Sequence, residues 1–150
     1  MRTSPIKLDA ISVVEFVNHF AEAIELASEL LVTSGHAEGP YVRRVLDNFE
    51  KLGPYFVVAP QIAIAHASPG QDVLSPALSL LKLNQPVVSG SQENDPVALV
   101  FALCTPDSQQ HIELLGEFAN LMSDPGIVNS LLKASAESVI GEILQSWLVE

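Results

Sequence analysis

Gln61-Ile62-Ala63-Ile64-Ala65-His66-Ala67-Ser68-Pro69-Gly70 is the stretch on which the fold turns. Gln61 to Ala65 is short, apolar and bounded by Pro60 and Pro69, which predicts a buried strand. His66 closes that strand, and the small residues after it begin a loop. Ala77 to Leu83 reads as a second strand. Val97 to Cys104, an unbroken apolar run, reads as a third that is covered on both faces. Asn84-Gln85-Pro86 and Gly90 to Pro96 are then connecting loops.

Helical patterns flank this strand cluster. Upstream, Phe20, Ile24, Ala27, Leu30 and Leu31 share one helical face, and Gly35 supplies a stop. Ile11 to Val17 allows two readings. Ser12-Val13-Val14-Glu15 has capping-box form and would start one long helix. The β-branched residues equally suit a short strand to about Val17, followed by a helix capped by Asn18. Gly39-Pro40 opens a second helix with Val42, Val45, Leu46 and Phe49 as its apolar stripe, and Gly53-Pro54 ends it. Downstream, Ser108 caps a helix carrying Ile112, Leu115, Phe118, Ala119 and Met122. Asp124-Pro125-Gly126 breaks it, and Ile127, Val128, Leu131 and Leu132 mark a short helix. Ser135 caps a last one, with Glu137 in its first turn and Val139, Ile140, Ile143, Leu144 and Trp147 inward. Two helices, a strand cluster and three helices predict an α/β fold, a mixed sheet with helices on both faces.

Composition narrows the function classes. A chain of 150 residues suits one domain, here 1–150, and one large enough to need no disulfide or metal staple. With 48% apolar and 17% charged residues it is neither a disordered tail nor a solvated coiled coil. Seven basic residues against eighteen acidic give a net charge of −11, which repels phosphate backbones and argues against nucleic acid as a partner. A basic protein partner suits it better. The mean hydropathy is high at +0.31. Yet every apolar run breaks well short of the roughly 18 residues needed to span a bilayer. Met1 to Asp9 is short and polar with no apolar segment behind it, so no signal peptide is expected and the predicted location is cytoplasmic. One cysteine and four scattered histidines give neither an internal disulfide nor a zinc-finger pattern.

Few residues suggest chemistry. An imidazole at a strand end among small residues, as at His66, is reachable by another macromolecule and can carry a group covalently; the bland reading is a structural histidine. His111 follows Val97 to Cys104 by about one turn, so the two histidines meet at one end of the sheet if their strands are neighbours. A helix N-terminus there would favour a phosphate. Glu15, His19 and Glu22 have spacings that would allow a metal if one helix held all three, although a solvated face is the plainer reading. Cys104 reads as a core thiol and His36 as a solvent-exposed residue of the polar turn Ser34 to Gly39. No G-x-S-x-G, Walker or G-x-G-x-x-G pattern occurs.

Gly53-Pro54-Tyr55-Phe56-Val57-Val58-Ala59-Pro60, followed by Ile62 to Pro69, resembles the active-site stretch of the enzyme IIA domains of the bacterial phosphoenolpyruvate-dependent sugar phosphotransferase system. The resemblance is to the mannitol/fructose superfamily and, within it, the ascorbate-type branch. Leu78-Ser79-Leu80 with Leu83, Pro86 and Val87, then Asn94-Asp95-Pro96-Val97, then Asp107 to His111 extend it over about residues 20 to 145.

This resemblance implies a three-layer α/β/α sandwich with a mixed central sheet. It implies a phosphotransferase in which His66 accepts a phosphoryl group from HPr through Nε2 and passes it to a cysteine of an enzyme IIB. The IIB then serves sugar import through the membrane component IIC. His111 would support the phosphorylated form, loop N–H groups at Ala67 and Ser68 would bind phosphate, and no metal or cofactor is called for. Some members form a homodimer through surface helices. The chain also departs from the family pattern. Ala65 replaces the usual proline, Ala67-Ser68 stands for Gly-Arg or Ala-Arg, and Leu74 and Ser75 stand where many ascorbate-type members carry lysines. Phe49 occupies the place assigned to a mannitol-type arginine. The rival readings are a regulatory module whose phosphorylation state controls a partner, and a metal enzyme built on Glu15, His19 and Glu22.

Overall fold

The computed structural model describes residues 8–148, with side chains described for residue 8 and for 10–144. The expectations for Met1 to Lys7, and for the Trp147 side chain, lie outside the described residues. The elements run β1 (Leu8–Val14), α1 (Phe20–Thr33), α2 (Gly39–Leu52), a 3-10 turn (Pro54–Phe56), β2 (Val57–Ala59), β3 (Ile62–His66), β4 (Ala77–Val87), β5 (Val97–Cys104), α3 (Ser108–Met122), α4 (Pro125–Lys133) and α5 (Glu137–Leu148). The five strands form one sheet in the order β1-β4-β5-β3-β2. It is mixed, as expected. β1 lies parallel to β4 and β3 parallel to β5, while β4–β5 and β2–β3 are antiparallel.

Strand alternation sends successive side chains to opposite faces, and the two faces differ in bulk. Ala63, Ala65 and Ala102 pack with Ala23 and Ala27 of α1 and with Tyr41 and Val45 of α2. Ile62, Ile64, Leu99, Phe101 and Leu103 pack with Phe118, Leu131, Ile140 and Leu144 from α3, α4 and α5. Small residues on both sides of the first interface let α1 lie close to the sheet. The Ser79 hydroxyl donates to the Ala27 carbonyl at 2.8 Å there. Helices on both faces make this the three-layer α/β/α sandwich that the resemblance implied.

The open reading at the start resolves as strand then helix, with differences of detail. β1 ends at Val14, and α1 is capped by His19 rather than Asn18. His19 Nδ1 accepts from the Glu22 N–H at 3.2 Å, while the Glu22 carboxylate accepts from the Asn18 N–H at 2.7 Å. The cap therefore sits one residue later than the expected Asn18. Val17 is buried among side chains of the α1/α2 layer, not in the ladder, which is why its apolar character extended the predicted strand.

Three more differences follow from pairing and capping. Asn84-Gln85-Pro86 is the continuation of β4, not a loop, because Gln85 N–H donates to the Glu15 carbonyl at 2.8 Å and Val87 pairs with Val97. Pro86 falls where the β4–β5 register shifts, a position that needs no ladder donor. β2, only three residues long, has no readable period and was not expected. Asp107, not Ser108, caps α3 by accepting the Gln110 N–H at 2.9 Å, and Ile112 points outward at 70% exposure. α2 opens at Gly39 with Pro40 in its first turn, as predicted, and Gly53 ends it at φ 65°, a left-handed conformation that favours glycine.

The centre of the second core gives a stability prediction. Phe101 is fully buried on β5 and meets the Phe118 ring edge-on, with centroids 5.0 Å apart. Phe101→Ala should cost about 3–5 kcal/mol, read as a lowered urea midpoint with an unchanged denaturant slope.

Candidate active site at the end of the sheet

β3 and β5 are neighbours, so the condition for joining the two histidines is met. His66 is the last residue of β3 and pairs with Leu103 of β5. The chain leaves β5 through Thr105 and enters α3, whose first turn carries His111. The two imidazole rings lie with centroids 5.5 Å apart at 52°. His66 shares the strand face of Ile62 and Ile64, the face that α3 covers.

Each ring is held by a partner on Nδ1. His66 Nδ1 lies 3.1 Å from the Ile64 carbonyl oxygen. A carbonyl only accepts, so this bond puts the ring proton on Nδ1 and leaves Nε2 with its lone pair free. His111 Nδ1 lies 3.2 Å from the hydroxyl of fully buried Thr105. Phe56 packs against the His66 ring with centroids 5.5 Å apart, from the 3-10 turn that precedes β2. His66 is half-buried, and burial pushes its pKa below the ordinary imidazole value. The Ile64 carbonyl opposes that shift, and His111 adds to it. The ring is therefore neutral at neutral pH.

The backbone around His66 is held by α2. Tyr41 is fully buried, and burial raises its hydroxyl far above the ordinary phenol value, so it stays protonated. It donates to the Leu103 carbonyl at 2.5 Å and accepts from the Ala67 N–H at 3.0 Å. Asn48 donates to the His66 carbonyl at 3.3 Å, and Arg44 Nη1 donates to the Ser68 carbonyl at 2.8 Å. These three side chains were not among the predicted site residues. Their spacing of three and four along one helix face was the available signal, masked because Val42, Val45, Leu46 and Phe49 drew attention as the apolar stripe. Phe49 itself packs edge-on against Phe20, joining α2 to α1.

The remaining predicted residues separate. Ala67 is buried at 2% exposure and its N–H is spent on Tyr41, so that amide is not free for an anion. Ser68 is exposed, and its N–H has no acceptor among the described residues. Ala65 is fully buried in the α1/α2 layer. Leu74 is exposed, and the Ser75 N–H donates to the His36 carbonyl at 3.3 Å. His36 is half-buried rather than solvent-exposed, with Nδ1 2.8 Å from the Ser34 hydroxyl. Cys104 is buried, its sulfur 3.6 Å from the Ser75 carbonyl oxygen. Glu15, His19 and Glu22 do not share a helix. Glu15 accepts from the Asn84 and Gln85 amides, and the other two form the α1 cap. Among the described residues no group of three or more His, Cys, Asp and Glu is placed to hold a metal ion.

With this geometry in view, comparison with known proteins is decisive. Residues 4–147 match the family model described as phosphoenolpyruvate-dependent sugar phosphotransferase system, EIIA 2. The chain belongs to that family. It is a component of the phosphotransferase system, whose chemistry is phosphoryl transfer. An ascorbate-specific PTS system EIIA component of Salmonella choleraesuis is 31% identical over 125 residues, 83% of this chain and 81% of that protein. The solution structure of the mannitol-specific cryptic phosphotransferase enzyme IIA CmtB of Escherichia coli superposes with a TM-score of 0.83 at 27% identity, covering 94% of this chain and 95% of that one. The mannitol enzyme IIA of Escherichia coli, in a complex with phosphorylated mannitol enzyme IIB, gives a TM-score of 0.79 at 24% identity, covering 94% and 97%. At that identity the likeness is one of fold. Among the described residues no helix is long and apolar enough to cross a membrane.

Two predictions follow from the site. Tyr41→Phe leaves the buried Leu103 carbonyl without its donor and the Ala67 N–H without its acceptor. It should cost about 1–3 kcal/mol in urea unfolding. The folded His66 pKa lies below its unfolded value, so the unfolded chain binds more protons in the window between them. That stability is full above the unfolded value near 6.5 and is lost as pH falls through the depressed folded value. An NMR titration of the His66 ring should show a midpoint below 6.5. His66→Gln should also lose stability less steeply on acidification.

Proposed function

We propose that this chain is a phosphoryl carrier in which His66 Nε2 takes a phosphoryl group from HPr and passes it to a cysteine of an enzyme IIB, for uptake of an ascorbate- or mannitol-type sugar. The observation that carries the reading is the 3.1 Å contact of His66 Nδ1 with the Ile64 carbonyl, which leaves Nε2 as the nucleophile. In the first step the P–N bond to the donor histidine breaks and the His66 Nε2–P bond forms. Positive charge grows on the ring, and the Ile64 carbonyl, accepting from Nδ1–H, stabilises it. In the second step the IIB thiolate attacks phosphorus and the imidazole leaves with its pair of electrons on Nε2.

Phosphoryl transfer asks for in-line positioning and compensation of charge on the equatorial oxygens. His111, its ring centred 5.5 Å from that of His66, is the supporting group. With Nδ1 engaged by Thr105, its Nε2 is the nitrogen left for a phosphoryl oxygen. The exposed Ser68 amide is the loop donor for the same group, in place of Ala67. The IIB partner is supported by the related mannitol enzyme IIA, which forms a complex with its phosphorylated IIB. The sugar class is supported by the ascorbate-specific and mannitol-specific relatives. HPr as donor, an indirect link to membrane IIC and a cytoplasmic location belong to this reading.

The test is phosphorylation by purified enzyme I, HPr and phosphoenolpyruvate, followed by intact mass. Wild type should gain one acid-labile phosphoryl group, and His66→Ala should gain none while keeping its fold. His111→Ala should be labelled roughly a hundredfold more slowly, the scale for removing one preorganised donor. An adduct that persists in His66→Ala, or none on wild type with competent HPr, overturns the assignment.

A further inference from the structure

Past His66 the chain leaves the sheet, and no ladder holds residues 67–72. What holds them is α2. Arg44 does the most, because its guanidinium spans the turn. Nη1 donates to the Ser68 carbonyl at 2.8 Å, while Nε and Nη2 form a fork on the Asp72 carboxylate at 2.9 and 2.7 Å. One planar cation thus ties the two ends of the turn together. The turn is shaped to it: a Cβ at Gly70 would stand 2.5 Å from Arg44 Nη2. From behind, the guanidinium lies over the Tyr41 ring at 5.2 Å, and that same tyrosine grips Ala67. The far end is anchored again where the Glu38 N–H donates to the Asp72 carbonyl at 2.7 Å.

Charge adds to the case. The chain carries −11, and a phosphoryl group arriving at His66 would bring more negative charge. Among the described residues the other cations are elsewhere. Arg43 pairs with Asp47, Lys82 is buried beneath the Ala134 carbonyl, and Lys51 and Lys133 lie at the C-terminal ends of α2 and α4. Arg44 is the described cation bonded to the segment that follows the histidine. Three of its five N–H groups are used, and the side chain is 35% exposed.

We infer that Arg44 is a positioning residue for phosphoryl transfer at His66: gripping Ser68 and Asp72 at once, it fixes the turn that follows the histidine and with it the position of the Ser68 amide. This rests on His66 being the acceptor. Asp72 orients the guanidinium, and the guanidinium orients the turn.

The experiment compares wild type, Arg44→Lys, Arg44→Gln and Asp72→Asn with two phosphoryl donors, phospho-HPr and the small molecule phosphoramidate. Arg44→Gln should lower the maximal labelling rate roughly ten- to a hundredfold, with the KM for HPr within about twofold and a matching fall with phosphoramidate. Arg44→Lys should recover part of the rate, since it keeps the charge and loses the fork; Asp72→Asn should fall between wild type and Arg44→Gln. Unchanged His66 ring signals in 15N NMR would show that the strand end is intact, and if Arg44→Gln does not fold, Arg44→Lys carries the comparison. Labelling of Arg44→Gln at the wild-type rate overturns the inference, and so does an effect confined to the KM for HPr, which would make Arg44 a docking residue. Failure of wild type to be labelled by either donor overturns the acceptor role of His66, and this inference with it.

Discussion

The bond between His66 Nδ1 and the carbonyl of Ile64, two residues back on the same strand, governs how the site is built. It works only if His66 still belongs to the strand, so that its ring folds back along the face of Ile62 and Ile64. It also requires that the chain turn away directly afterwards, so that no further strand residue continues past the ring. The parallel pairing of β3 with β5 ends at His66 and Leu103 and meets both conditions. The Tyr41 hydroxyl sits at that point, bonded to the Leu103 carbonyl and the Ala67 N–H together. It serves as a last rung of the ladder, supplied by a helix side chain where the two main chains begin to part.

The rest of the architecture sets the distance between the two rings. β5 is buried along its whole length, with α1 and α2 on one side and α3 to α5 on the other. It therefore has no freedom to shift its register against β3. From the end of β5 the chain reaches His111 within one turn of α3, and Asp107 fixes the start of that helix. Ring separation thus follows from strand register and a helix cap, not from any direct bond between the histidines. The face on which His66 lies also matters. Its neighbours there are Ile64, Phe56 and the α3 layer, an apolar setting that disfavours the imidazolium and keeps the lone pair available.

Much of this was legible in the residues. The bounds of β5 and the opening of α2 follow from apolar runs and from Gly-Pro punctuation, which act locally. Strand against helix at Ile11 to Val17 was not decidable, because β-branched residues and a capping-box pattern favour opposite answers and only the pairing of β1 with β4 breaks the tie. β4 runs through Asn84-Gln85-Pro86 against local preference because Glu15 accepts the Gln85 N–H from across the sheet. Cap positions at His19 and Asp107 each missed by one residue, since the choice depends on which backbone N–H groups the tertiary fold leaves for the cap to bind.

The order of residues alone determined the α/β class, the family, and His66 and His111 as the residues to watch. The class follows from hydrophobic periodicity, and the family and the two histidines from the resemblance of the stretches around them, all of which survive without coordinates. Tertiary structure decided the rest. Strand order β1-β4-β5-β3-β2 brought the two histidines to one end of the sheet, and no local pattern encodes which strands are neighbours. It spent the Ala67 amide on Tyr41 and left that of Ser68 open. It also gathered Tyr41, Arg44 and Asn48, eighteen to twenty-six residues away in the chain, onto the backbone of three consecutive residues. The physical reason is that hydrogen bonds join groups close in space, and separation along the chain says nothing about that until the sheet has closed.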